Sequence, residues 1–161
     1  MKIAIIVEGQ TEMAFKQHLL KFLQIRLDGK MPKLDFDPHH GRIPTNEKLK
    51  RVVATHLSGK RPADAVIALT DIYTGTREFE NAQDAKNKMR QWVGNNSNFY
   101  PHVALHDFEA WLLPYWDEIQ NIAGHNRHAP SAPEMINHNK PPAHLINEVF
   151  MAGSKRSYTK P

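Results

Sequence analysis

The run Lys2–Val7 (KIAIIV) most constrains the fold, because it is almost entirely apolar and stops abruptly at Glu8 and Gly9. A short continuous apolar run is typical of a strand that is buried on both faces of a sheet. An amphipathic pattern over Met13–Arg26 follows it, and this pattern predicts a helix. The chain therefore opens with a strand, a tight turn and a helix, and Glu8 is expected at the carboxyl end of a central strand.

The residues of this turn suit a strand-to-helix connection. Gly9 is expected to let the backbone turn without a Cβ clash. Thr11 is expected to cap the helix, with Glu12 in the first turn, where a negative charge suits the helix dipole. The helix is expected to bury one stripe of apolar residues spaced by three and four: Phe15, Leu19, Phe22, Leu23 and Leu27.

The rest of the chain continues this alternation of strands and helices. Further strands are predicted at Lys33–Pro38, Asp64–Thr70 and Tyr100–His106. Further helices are predicted from Thr45 or Asn46 to Ser58, at Thr76–Val93, at Ala110–Trp116 and at Ala143–Phe150, with loops at His39–Asn46 and Asn121–Pro142. This order predicts an α/β fold with a mostly parallel sheet of about four strands and helices on both faces.

Length and composition limit the class of protein. A chain of 161 residues suits one domain, here a core over 1–118 and a loop rich in proline and histidine with a terminal helix over 119–161. The absence of cysteine excludes disulfides and thiolate zinc sites. No apolar run reaches bilayer length and no signal pattern precedes the first strand, so we expect a cytoplasmic protein without membrane contact.

Acidic residues follow three of the predicted strands: Glu8 after the first, Asp71 after the third, and Asp107 and Glu109 after the fourth. Parallel strands end at the same edge of a sheet, so these carboxylates are expected to converge. Clustered carboxylates repel one another unless a cation lies between them, and such hard oxygen ligands suit Mg²⁺ or Mn²⁺. The expected chemistry is metal-assisted phosphoryl transfer. The sequence contains no P-loop, dinucleotide-binding or nucleophile-elbow motif.

The charge distribution is compatible with a polyanionic substrate. The chain has 21 basic and 17 acidic residues, a net charge of +4, which is mild and occurs in many proteins without a nucleic-acid role. Basic residues concentrate in the first third of the chain and again near its end: Lys30, Lys33, Arg42, Lys48, Lys50, Arg51, Lys60 and Arg61, then Lys155, Arg156 and Lys160. An acidic centre within a basic surround suits a phosphodiester enzyme.

Three motifs carry a resemblance to a known family. They are Val7-Glu8-Gly9-Gln10-Thr11-Glu12, Thr70-Asp71-Ile72-Tyr73 and His106-Asp107-Phe108-Glu109-Ala110-Trp111-Leu112, with a weaker echo in Arg156-Ser157-Tyr158-Thr159-Lys160. In this order they resemble an uncharacterised Toprim-like family, domain of unknown function family 4276, whose members open with V-E-G-x-T-E and carry an H-x-F-E-A block. The likeness runs from residue 3 to about residue 113.

The Toprim resemblance implies a Mg²⁺-dependent domain acting on nucleic acid, related to nucleases of the overcoming-lysogenisation-defect type, which are linked to phage defence. It implies that Glu8 is a metal ligand or general acid/base, that Asp71 is the first acid of the D-x-D pair, and that Glu109 and Asp107 supply further acids near the metal. Tyr73 stands where the second aspartate of the pair is usual. Relatives also continue beyond the R-x-Y-x-K segment into a final helix, whereas this sequence ends at Pro161.

These observations predict a phosphodiester hydrolase of DNA or RNA in which Glu8, Asp71 and Glu109 hold or serve the metal. The basic residues Lys155, Arg156 and Lys160 are expected to contact phosphate or stabilise charge in the transition state. One alternative is a catalytically silent module that docks to a partner ATPase, which Tyr73 and the mild charge favour. Another is a primase-like nucleotidyl transferase, which needs a further nucleotide-binding surface.

Overall fold

A four-stranded parallel sheet forms the centre of the fold in the computed structural model, which describes residues 1–72, 78–105, 107–130 and 141–159. Its strands are β1 (Lys2–Val7), β2 (Lys33–Pro38), β3 (Ala65–Ile72) and β4 (Phe99–Leu105). They lie in the order β2-β1-β3-β4, so β1 and β3 are the two inner strands. The positions predicted for these two apolar strands are therefore confirmed.

Helices connect the strands and follow the last of them. They are α1 (Gln10–Arg26), α2 (Asn46–Ser58), α3 (Ala82–Val93), α4 (Trp116–Ala123) and α5 (Pro142–Ala152), with a 3₁₀ helix at Phe108–Tyr115 before α4. Alternation of strands and helices around an all-parallel sheet is the Rossmann-like α/β arrangement, and the predicted fold class is confirmed. None of the helices in the described ranges is long and apolar enough to cross a membrane.

The register of β1 explains its composition. Its residues pair in parallel with β2 from Lys2 opposite Lys33 to Val7 opposite Pro38, and with β3 from Ile3 opposite Ala65 to Ile6 opposite Ala68. Four consecutive side chains of β1, residues 4–7, are at most 6% exposed. A strand with neighbours on both sides and both faces covered has no solvent-facing position, which is why its apolar run is continuous rather than alternating.

Close contacts divide the described residues into two compact units. The first takes in Met1–Thr70 and Glu78–Val103, and the second takes in Asp71, Ile72 and the described residues from Ala104 to Thr159. Within the first unit, Leu49 of α2 and Met89 of α3 are completely buried. The prediction of one domain over 1–161 stays a prediction.

The second unit has a core of its own. Six residues from the 3₁₀ helix, α4 and α5 form it: Leu113, Trp116, Ile119, Ala123, Ile146 and Val149. The Trp116 indole N–H donates a 2.7 Å hydrogen bond to the Arg127 carbonyl, so its polar atom is satisfied although the ring is buried. Gly153, which ends α5, lies so close to the Ala123 carbonyl that an added Cβ would be 2.0 Å from its oxygen. Only glycine fits this contact.

The structure corrects the prediction for the first helix. α1 begins at Gln10, and its N-cap is Gly9 rather than Thr11, because the Glu12 carboxylate accepts a 3.0 Å hydrogen bond from the Gly9 backbone N–H. The φ of Gly9 is −173°, an extended conformation that any residue adopts, so the turn does not depend on glycine.

The single buried stripe expected on α1 was also wrong. Phe22 and Leu27 are 54% and 39% exposed, and the buried residue of this helix is Glu12. The other residues of the expected stripe, Phe15, Leu19 and Leu23, are half-buried, so this face of α1 is covered only in part.

Other element boundaries also differ from the predictions. α3 begins at Ala82 rather than Thr76, because the Asn81 side chain accepts a 2.9 Å hydrogen bond from the Asp84 N–H and caps the helix there. β3 continues through Asp71 to Ile72, and β4 begins at Phe99. The segment predicted as a helix at Ala110–Trp116 is a 3₁₀ helix that leads directly into α4, so residues 121–123, predicted as loop, are helical. Residues 73–77, 106 and 131–140, on which other parts of the predictions fall, lie outside the described residues.

The first prediction compares two apolar helix residues that differ in burial. Leu49→Ala should lower the free energy of unfolding by about 2–5 kcal/mol, because Leu49 is fully buried and its truncation leaves a cavity. Ile25→Ala, at a position that is 81% exposed, should change it by less than about 0.5 kcal/mol. Urea denaturation followed by circular dichroism measures both. Similar losses for the two variants would contradict this assignment of the core.

A second prediction concerns Asp35 on β2. Lys2 Nζ lies 3.0 Å from the Asp35 carboxylate, and this hydrogen bond, helped by nearby positive charge and opposed by partial burial, lowers the pKa of Asp35. A carboxyl pKa that is lower in the folded than in the unfolded state stabilises the folded protein at pH values above the unfolded pKa, near 3.8. This stabilisation is lost as the pH falls through the folded pKa. Asp35→Asn should therefore lower the urea midpoint slightly at neutral pH and leave it unchanged in strong acid. If Asp35→Asn lowered the urea midpoint equally at every pH, the lowered pKa of Asp35 would not be the cause of the loss.

Candidate functional site

The Glu8 carboxylate is held at the carboxyl ends of the two inner strands. Glu8 follows β1 directly, and its Oε1 accepts a hydrogen bond from the hydroxyl of Thr70 on β3. Thr70 is only 4% exposed and shares the buried side of β3 with Val66 and Ala68. A hydroxyl donated from within the sheet fixes the direction of this carboxylate more firmly than a bond to solvent does.

Backbone hydrogen bonds hold the loop after β2 beside the residues that follow β1. The His39 N–H donates to the Val7 carbonyl over 2.8 Å, and the Gly41 N–H donates to the Glu8 carbonyl over 3.1 Å. Gly41 has a φ of +107°, which disfavours any residue with a Cβ. The loop therefore continues the pairing of β1 with β2 for two hydrogen bonds beyond the end of the strands and then turns sharply.

The other predicted acids belong to the second unit. Asp71 is the second-last residue of β3. Asp107 is the N-cap of the 3₁₀ helix, and Glu109 lies in the first turn of that helix. Glu109 is 1% exposed, and one carboxylate oxygen of each of the three residues is buried. Burial of carboxylate oxygens is expensive, and side chains of this kind are more often functional than solubilising.

The donors suit the predicted cation in their chemistry, because all four acids offer hard carboxylate oxygens of the kind that Mg²⁺ and Mn²⁺ prefer. They are divided between the units, Glu8 in the first and Asp71, Asp107 and Glu109 in the second. Among the residues that the structure describes, no three His, Asp or Glu side chains are grouped as the ligands of one metal ion. The metal site stays a prediction.

The basic residues predicted near the end of the chain lie just beyond α5. Lys155 and Arg156 are exposed, in the short segment that follows Gly153. Exposed cationic side chains are suited to phosphate contact but equally to solvation. Lys160, the third predicted residue of this group, lies outside the described residues, as do Tyr73 and His106.

The loop after β2 and the start of α2 enclose a polar cleft of about 480 Å³ within the first unit. Its lining contains two cationic side chains, two imidazoles and one acid: His39, His40, Arg42, Ile43, Pro44, Thr45, Lys48 and Glu78. Arg42 Nη1 lies 3.5 Å from the Glu78 carboxylate in an exposed ion pair. The sequence marked Arg42 and Lys48 only as members of a diffuse basic region.

Two histidines share one acid next to this cleft. His56 Nε2 and His39 Nε2 lie 2.9 Å and 3.3 Å from the same oxygen of Asp37. This cluster, which joins the end of β2 to α2, was missed by the sequence reasoning. The missed role of Thr70 had one sequence signal, a hydroxyl residue in the last position of the apolar run Asp64–Thr70, where an apolar residue is otherwise expected.

Comparison with known proteins shows the family. A family model described as Domain of unknown function (DUF4276) matches residues 7–161, so the chain belongs to that family. The resemblance to this uncharacterised family, which the three motifs carried, is confirmed. No curated protein and no solved structure gives a significant match to the chain.

The contact between Thr70 and Glu8 generates the third prediction. Thr70→Val keeps the shape of the side chain and removes the donor, so it should lower the free energy of unfolding by about 1–3 kcal/mol. Thr55→Val is the control, because the exposed Thr55 hydroxyl only donates to a carbonyl of its own helix. A double-mutant cycle of Thr70→Val with Glu8→Ala should give a coupling energy above about 0.5 kcal/mol. Additive effects would mean that the two side chains do not depend on each other.

Proposed function

We propose that this member of the DUF4276 family is a divalent-cation-dependent phosphodiester hydrolase acting on nucleic acid, with a Toprim-type carboxylate site. The observation that carries the proposal is the Glu8 carboxylate, which the Thr70 hydroxyl holds at the carboxyl ends of two inner parallel strands. Open α/β sheets bind their ligands outside these strand ends. The order of the acid-bearing motifs along the chain, with Asp71 near the end of β3 and Asp107 and Glu109 after β4, supports the same site.

In this proposal the carboxylates serve as general base and as ligands of the cation. Glu8, which the Thr70 hydroxyl orients, would take a proton from the attacking water as general base, or would serve as a ligand together with Asp71, Asp107 and Glu109. A divalent cation bound by these acids would supply Lewis-acid stabilisation of charge on the phosphate. Lys155, Arg156 and Lys160 would steady the phosphate oxygens.

A docking module is the second candidate function. It is favoured by the lack of a three-ligand metal group among the described side chains and by Tyr73, which replaces the second aspartate of the expected pair. In this case the domain would bind a partner protein, with an ATPase as the partner that the resemblance suggests. A phage-defence role with such an ATPase is compatible with both candidates.

The fourth prediction tests hydrolysis directly. The purified protein should cleave plasmid or single-stranded DNA or RNA with Mg²⁺ or Mn²⁺ and should not cleave in EDTA. Glu8→Gln and Asp71→Asn should each lower the rate by at least about 100-fold, since each removes a charged carboxylate. The matched controls Glu118→Gln and Asp117→Asn, which change exposed acids on α4, should leave the rate unchanged.

A second readout does not depend on activity. Mn²⁺ should raise the thermal midpoint of the wild type and of both controls, because a ligand that binds only the folded state stabilises it. Glu8→Gln and Asp71→Asn should reduce this increase. If Mn²⁺ neither binds nor supports cleavage by the wild type, the hydrolase proposal is wrong and the docking module is the better account.

A further inference from the structure

We propose that the cleft between the loop after β2 and the start of α2 binds the phosphate backbone of a nucleic-acid strand and presents it beside Glu8. This inference rests on the proposed function for the identity of the polymer. It goes beyond that proposal in assigning substrate binding to Arg42 and Lys48 of the first unit, in addition to the basic residues near the end of the chain.

The charge of the lining selects an anion. Arg42 and Lys48 bring two fixed positive charges, and Glu78 is the one acid among the lining residues. The guanidinium of Arg42 is suited to bidentate contact with phosphate oxygens, and the Glu78 carboxylate that contacts it is 3.5 Å away and 36% exposed. Such an exposed ion pair is worth little, so a phosphate can compete with Glu78 for the guanidinium.

The start of α2 adds neutral donors to this cleft. Thr45 is its N-cap and lines the cleft, yet its side chain makes no capping hydrogen bond. The acid of the first turn, Glu47, is 72% exposed and lies 3.6 Å from Lys50. The Thr45 hydroxyl and the positive end of the α2 dipole therefore favour an anion at the same place as the two cationic side chains.

Backbone hydrogen bonds connect the loop that lines this cleft to Glu8. Arg42 directly follows Gly41 in this loop. The N–H groups of His39 and Gly41 donate hydrogen bonds to the carbonyls of Val7 and Glu8, respectively. The positive φ of Gly41 turns the chain from this pairing toward Arg42. The loop that carries the cationic side chain is thus anchored to the backbone of the candidate catalytic acid.

The volume of the cleft suits a short part of a nucleic-acid strand. A volume of about 480 Å³ falls within the range of sites that hold one small ligand, which corresponds to about one nucleotide unit. None of the lining side chains is Phe, Tyr or Trp, so any base stacking would use the imidazoles of His39 and His40 or the guanidinium of Arg42, which accept every base. We therefore expect contacts to phosphate and sugar, with little preference for base sequence.

The test measures binding without cleavage. Fluorescence anisotropy in EDTA follows labelled single-stranded DNA and RNA longer than about 16 nucleotides, over a range of salt concentrations. Arg42→Gln combined with Lys48→Gln should weaken binding at least about tenfold and should reduce the slope of log K against log salt by up to about 1.4, roughly 0.7 per lost contact to a single strand. Glu78→Gln should strengthen binding, because it removes the competing carboxylate from Arg42.

The matched control removes the same two charges elsewhere. Lys60→Gln combined with Arg61→Gln changes two exposed residues beyond the other end of α2, about 20 Å away along the helix. It should bind the oligonucleotide nearly as the wild type does. Circular dichroism and thermal midpoints should match the wild type for all these variants, since the changed side chains are at the surface.

Each other outcome overturns the inference. It is wrong if the wild type does not bind the oligonucleotide, or if the cleft variant and the control variant lose affinity equally. It is also wrong if adenosine monophosphate binds as tightly as the oligonucleotide, which would make the cleft a site for mononucleotides. Failure of the hydrolase proposal gives a different pattern, in which cleft-dependent binding persists and Glu8→Gln changes neither binding nor cleavage.

Discussion

The burial of β1 on both faces is the constraint on which the rest of the first unit depends. Four successive apolar side chains, residues 4–7, can be covered only if a parallel neighbour lies on each side and helices return the chain to the same starting edge. The first position after this buried run that can carry a charge is therefore Glu8, where the chain leaves the sheet. The location of the candidate acid follows from the same packing that stabilises the strand.

The position of Glu8 next to Thr70 also shows how an inner strand accommodates a polar residue. A buried hydroxyl is costly without a partner, and an acid without a donor is poorly oriented. The two residues are 62 positions apart in sequence. The Glu8 carboxylate gives the buried Thr70 hydroxyl an acceptor, and the hydroxyl orients the carboxylate. A site built in this way is part of the folding unit, so damage to its geometry and damage to its stability are difficult to separate by one substitution alone. Conservative changes and coupling measurements are needed for that reason.

Strongly patterned segments were predictable, and tertiary details were not. The apolar runs placed β1 and β3 correctly. The exposure of Phe22 was not predictable, because the periodicity of apolar residues predicts which face of a helix is apolar but not how much of that face other elements cover. The motifs marked Glu8 as a candidate, whereas its contact with Thr70 needed the strand register, which joins residues far apart in sequence. The cleft near Arg42 likewise requires Glu78 from a distant segment.

β2 lies at one end of the strand order, and its composition has a consequence for self-association. An edge strand exposes backbone groups that can recruit a strand from another molecule. Here one side of the strand carries Lys33, Asp35 and Asp37, and Pro38 ends it without an N–H to offer. A second copy that extended the sheet at this edge would have to desolvate these charges. Continuous sheets formed through β2 are therefore disfavoured.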